Sequence, residues 1–158
     1  MLSLQDIFHV GIRVPDIHQA MEELGDSLGL TWTEVVESSG QRLWTPENGQ
    51  QEVPLKFVYS REGPQHLELL EGEKGSFWDG SEDSGVHHVG IWVDDVQSET
   101  DRLISLGWDL LGSARPPEEG YASMSYLSPP SGTIVELVTS ANKARFDRWY
   151  AGGPFYDT

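Results

Sequence analysis

The chain is 158 residues long, the size of one compact domain and short for two independent ones. Its 10 Lys and Arg stand against 26 Asp and Glu, and a formal net charge of -16 repels phosphate backbones and anionic lipid, which argues against nucleic-acid and membrane partners. With no cysteine, disulfides, thiolate metal sites and cysteine nucleophiles are excluded, so any metal must be held by imidazole and carboxylate.

The opening stretch "MLSLQDIFHVGIRVPDIHQA" carries Asp6, Arg13 and Asp16 and no long apolar run. It reads as neither a signal peptide nor a membrane span, and a cytoplasmic location is the expectation. Within it "IFHVGIRV" is apolar, β-branched and bounded by Pro15, as a strand should be. Asp16 then caps a helix, "IHQAMEELGDSLG", in which Ile17, Ala20, Met21, Leu24 and Leu28 recur at helical spacing and Gly29 offers a stop. "TWTEVVE", "LKFVYSR" and "HLELLEG" follow as strands.

A second copy then begins. "VHHVGIWV" is its strand, Asp94 or Asp95 its cap, and "VQSETDRLISLG" its helix, with Val96, Leu103, Ile104 and Leu106 as the buried stripe and Gly107 as the stop. "WDLLGSA", "SMSYLS" and "TIVELVT" complete it, so the pattern βαβββ occurs twice. We place the first module at about residues 5–72 and the second at about 84–140, with a helix and tail over 141–158, all in a single domain. The two "HVGI" stretches are offset by about 79 residues and "LEL" from "VEL" by about 68. The difference falls in "SSGQRLWTPENGQQEV", read as a longer surface loop serving as a lid, or as a solvated hairpin extension. The tail "ANKARFDRWYAGGPFYDT" forms a short helix through Phe146 and Trp149 and docks on the body of the fold or on a partner subunit.

Strand alternation assigns faces. Phe8, Val10, Ile12 and Val14 share the face a helix covers, leaving His9, Gly11 and Arg13 on the other. In the second copy His87, Val89, Ile91 and Val93 face the helix, and His88, Gly90 and Trp92 face away, so His88 and not His87 is the partner of His9. Glu68 and Glu136 each sit opposite flanking apolar residues, and a carboxylate buried without a partner either shifts its pKa or finds a cation. Two histidines and two glutamates at matching places in two copies of one motif describe a divalent metal site: His9, Glu68, His88 and Glu136. Such donors admit Ni, Co or Zn first, with Mn or Fe(II) as alternatives. His18 and His66 have no repeat partner and stay outside the site.

"FHVGIRVPD", "HLELLE", "GVHHVGIWVDD" and "GTIVELV" resemble the vicinal oxygen chelate superfamily of glyoxalases, methylmalonyl-CoA epimerases, extradiol dioxygenases and bleomycin- or fosfomycin-resistance proteins. The resemblance is nearest to the glyoxalase-like lyases and the epimerases. It implies an α+β fold in which two tandem βαβββ modules form a U-shaped, partly open mixed-sheet cup around a metal held by His9, Glu68, His88 and Glu136. It also implies proton abstraction next to a carbonyl with a metal-stabilised enolate, on a small anionic or thioester substrate, with Glu136 or Glu68 as the base. Arg13 is expected to meet an anionic group of the substrate, with Trp92 and Tyr126 lining the site and desolvating the base so that its basicity rises. The alternatives are a drug-sequestering protein on the same cup and, after it, an extradiol dioxygenase. A homodimer is the implied assembly.

Overall fold

The computed structural model of the chain describes residues 2–157. Its first strand, β1 (Ile7–Arg13), ends before Pro15, and the Asp16 carboxylate accepts a hydrogen bond from the Gln19 amide at 2.9 Å to open α1 (Ile17–Leu28). Gly29, at φ 69°, closes that helix in the left-handed conformation that a side chain would resist. Three strands follow: β2 (Val36–Thr45), β3 (Gly49–Tyr59) and β4 (His66–Gly72). The second copy repeats the order with β5 (Gly85–Val93), α2 (Val96–Ser105), β6 (Asp109–Ser113), β7 (Met124–Ser128) and β8 (Val135–Thr139). Asp95, not Asp94, caps α2 through the Ser98 amide at 2.9 Å. A last helix, α3 (Lys143–Tyr150), leads into the tail.

The strands form one mixed sheet, as expected for the α+β class, in the order β1-β4-β3-β2-β6-β7-β8-β5. β1 runs parallel to β4 and β5 parallel to β8, and the two copies meet where β1 and β5 lie antiparallel. The expected cup is partly open, but β2 and β6 pair through Trp44 and Ser113 and close the sheet into a barrel.

Closure follows from the stretch read either as a lid-like loop or as a hairpin extension: it is the second, the long β2–β3 hairpin turning at residues 46–48. Along β3, Val53, Leu55 and Phe57 are buried while Glu52 and Pro54 are exposed. The polar residues that suggested a loop are the outward half of an alternating strand.

α1 lays Ile17 and Ala20 on Val58 and Leu69, and α2 lays Val96 and Leu103 on Ile91, Leu127 and Leu137, both outside the sheet. Inside it, Leu43, Leu55, Phe57, Leu70, Trp78 and Met124 form a third cluster with Phe146, Trp149 and Phe155. The aromatic tail thus packs into the barrel of its own chain, and Trp149 donates its indole N–H to the Glu34 carbonyl at 3.1 Å. No helix among the described residues is long and apolar enough to cross a membrane.

Candidate metal centre

His9 on β1, Glu68 on β4, His88 on β5 and Glu136 on β8 come from the four strands around the junction of the two copies. All four are buried, and one ligand atom from each lies within 4.8 Å of the others. The Nε2 atoms of His9 and His88 are 2.9 Å apart. Glu68 Oε2 lies 3.2 and 3.1 Å from them, and Glu136 Oε2 3.0 and 3.2 Å.

The repeated "HVG" has a mechanical reason. His9 pairs across the strands with Gly90, and Gly11 with His88. A Cβ on Gly90 would overlap the His9 ring, and one on Gly11 would overlap the His88 ring. Each copy's glycine therefore seats the other copy's histidine.

Strict alternation fails at two places, and the same irregularity causes both. Between Ile7 and His9 the pairing of β1 with β5 gains an extra residue, Phe8, and between Gly11 and Ile12 it gains His87 on the other strand. These bulges turn Phe8 and His87 inward instead of toward the helices. Phe8 stacks on Trp92 with ring centroids 3.7 Å apart, and His87 packs edge-on against Phe77 at 4.9 Å. The two residues occupy equivalent places in the repeat, and both touch a ligand histidine.

His87 Nδ1 lies 3.0 Å from His88 Nδ1, and the Tyr59 hydroxyl lies 3.4 Å from His9 Nδ1. With each Nε2 turned to the site, the Nδ1–H of His88 donates outward to His87 and that of His9 to Tyr59, which fixes the orientation of both rings. Burial, helped by the His88 charge, lowers the His87 pKa to about 3, so its ring stays a neutral acceptor. Burial and the nearby Glu68 charge push the Tyr59 phenol well up, so it stays protonated. Sequence reasoning missed both partners, although Tyr59 stands opposite Glu68 in register as Tyr126 stands opposite Glu136.

Burial opposes charge on all four groups, but their mutual contacts win. Glu136 and Glu68 hold His88 up at about 9 against that burial, and His9 is raised by Glu68 and Glu136 in the same way. Both carboxyls are lowered by the two imidazoles despite their burial. Desolvation was expected to raise the base; the histidines outweigh it. Three features fit a divalent ion here: two imidazole Nε2 atoms facing each other, a buried Glu68 Oε2 that accepts no hydrogen bond, and donor separations near the roughly 3 Å that ligands at about 2.0–2.1 Å from one ion would show.

A cavity of about 220 Å³ opens from Glu68 and Glu136, walled by Phe57, Leu70, Trp78, Met124, Phe146 and Phe155. Tyr126 lines it, as expected, whereas Arg13 and Trp92 do not. Arg13 donates to the Phe77 carbonyl at 3.2 Å and pairs with Asp83 at 2.8 Å. His66 is buried away from the cavity, donating to the Ser60 carbonyl at 2.7 Å and stacking on Tyr150, and His18 is exposed. The contribution of α3 and the tail to the wall was not foreseen, because aromatic residues there signal packing without saying against what.

A family model described as Glyoxalase/Bleomycin resistance protein/Dioxygenase superfamily matches residues 8–127. Among solved structures, the fold is similar to a variant of Streptomyces coelicolor methylmalonyl-CoA epimerase in complex with 2-nitronate-propionyl-CoA, at 24% identity and TM-score 0.61, covering 89% of this chain and 96% of that one. The Mycobacterium tuberculosis methylmalonyl-CoA epimerase matches at 20% identity and TM-score 0.61, covering 91% and 95%. A variant of 4-hydroxymandelate synthase from Streptomyces coelicolor matches at 20% and 0.57, covering 85% of this chain and 37% of that one. No curated protein sequence matches the chain.

Proposed function

That the chain belongs to the Glyoxalase/Bleomycin resistance protein/Dioxygenase superfamily is the premise from which we propose its function: a metal-dependent lyase or isomerase that removes a proton next to a carbonyl of a small anionic or thioester substrate. The observation that carries this is the burial of two imidazoles and two carboxylates in one cluster whose glutamates lie at the floor of a ring-walled cavity.

His9, Glu68, His88 and Glu136 would hold the ion, with Ni, Co or Zn ahead of Mn and Fe(II). When bound, a divalent ion supplies Lewis acidity for charge that develops on a substrate oxygen. Among the described residues Glu68 and Glu136 are the only carboxylates lining the cavity, and we assign the base to one of them. Both are held ionised by the histidines, and Glu136 or Glu68 takes the substrate's carbon-bound proton on an Oε atom. The ring wall and Tyr126 flank that transfer. All four ligands belong to one chain, so a homodimer, which remains part of the proposal, is not needed to complete the centre.

The test is plasma mass spectrometry of the protein reconstituted with each metal, followed by turnover assays on α-hydroxythioesters, CoA thioesters and small oxo acids. About one ion per chain, and a Glu136→Gln variant slower by roughly 10²–10⁴-fold, are expected. No ion under any condition would remove this reading and put a ligand-sequestering protein in its place.

A further inference from the structure

Resting on the reading above and narrowing its substrate, we propose that the cavity selects a small monocarboxylate with an aromatic or compact apolar body, and that Arg145 selects it by holding the carboxylate.

Among the described residues Arg145 is the only cationic one lining the cavity. Its guanidinium lies over the Phe155 ring at 5.4 Å from the centroid, a placement that leaves the planar N–H edge free to grip a carboxylate with two parallel bonds. Among the described residues no carboxylate stands within ion-pair distance of it, although the chain holds 26 Asp and Glu against 10 Lys and Arg. One turn along, Arg148 is tied to Asp157 at 2.8 Å, and Arg13 is tied to Asp83 at the same distance. Unpaired among the described residues and set at the cavity, Arg145 is placed to take its acid from outside.

The walls define the rest of the ligand. From Arg145 a continuous run of rings leads inward: Phe155 contacts Phe146 at 5.6 Å, Phe146 contacts Phe8 at 5.9 Å, and Phe8 contacts His9 at 4.4 Å. Such a run favours a flat or compact apolar body lying between the guanidinium and the centre. At the floor, Glu68 and Glu136 are already matched by His9 and His88, so the centre offers no spare cation for a second anionic group, and the ligand is a monoanion with its uncharged, reacting end inward. At about 220 Å³ the cavity is smaller than the roughly 300–1,000 Å³ that drug-sized ligands occupy, and one arginine cannot match the several phosphate charges of a coenzyme A tail. Within the proposed reaction class, the free carboxylic acid is therefore preferred to the thioester.

The experiment is isothermal titration of the full chain with phenylpropionate, its primary amide phenylpropanamide, and propionate, in the wild type and in Arg145→Gln. A charge-assisted pair predicts that phenylpropionate binds roughly tenfold or more tighter than the amide, and that Arg145→Gln lowers it to the amide's affinity while leaving the amide unchanged. Equal binding of acid and amide by the wild type overturns the proposal without any variant, as does a preference that survives Arg145→Gln. Propionate binding as tightly as phenylpropionate overturns the ring-wall half. The same titration in Glu136→Gln protein, with its metal content measured, separates the two readings. A preference for the acid in protein that takes up no ion, wild type included, supports the carboxylate subsite and sinks the lyase; ion uptake without the preference does the reverse.

Discussion

Gly90 has no side chain because the His9 ring occupies that space, and Gly11 stands in the same relation to His88. Gly90→Ala should therefore displace His9 and abolish stoichiometric metal uptake, read by plasma mass spectrometry, while circular dichroism still reports a folded chain. The protons of the centre make a second expectation. His88 titrates at about 9 in the metal-free fold against an ordinary 6.5, so its stabilisation is full below about 6.5 and is lost as pH rises toward 9. Glu68 is lowered from its ordinary 4.5, so its contribution is present above that value and is lost on acidification. The melting temperature of metal-free protein should peak between about pH 5 and 6.5 and fall toward pH 9. Metal-loaded protein, whose ligand imidazoles are already neutral, should lack the alkaline fall. The four clustered side chains were legible in the sequence because a repeat placed them. Tyr59 and His87 were not, since nothing local marks a residue that touches a ligand's far nitrogen. Arg145 was equally silent, because the want of an acidic partner is a property of space.

At the scale of elements, the helix starts were written plainly: Asp16 and Asp95 each accept from the amide three residues on at 2.9 Å. Asp16→Ala and Asp95→Ala should each cost about 1 kcal/mol in urea unfolding, with the slope unchanged. The helix stops and the barrel's outward stripes were legible too, because their periods are simple. What period could not supply is the pair of bulges: an extra residue in a strand shifts side chains to the other face, and the glycine in "FHVG" and "HHVG" hints at an irregularity without saying which residue is the extra one. The choice between loop and hairpin for residues 38–53 stayed open for a related reason. Half of the residues in an exposed pair of strands are polar by necessity, so composition alone reads as loop.

For the whole molecule, the barrel is held unequally around its circumference. β1 and β5 share a long register, whereas β2 and β6 are joined through Trp44 and Ser113 alone. Amide hydrogen exchange should find the β2–β6 seam opening well before the β1–β5 junction; equal protection at both would show that the seam is supported by more than its pairing. The closed sheet and the single-chain centre depend on contacts between segments far apart in sequence, which is why neither could be read from one stretch at a time; the tail's docking was legible, but not the surface that receives it. The crossed seating of histidines and glycines has its own consequence for how this protein can change. Neither module can refine its own imidazole in private: the room for His9 is kept by Gly90, and the room for His88 by Gly11. The two copies are thus bound to a joint fate, free to diverge in helices, hairpins and walls, yet obliged to remain twins at the one place where they meet.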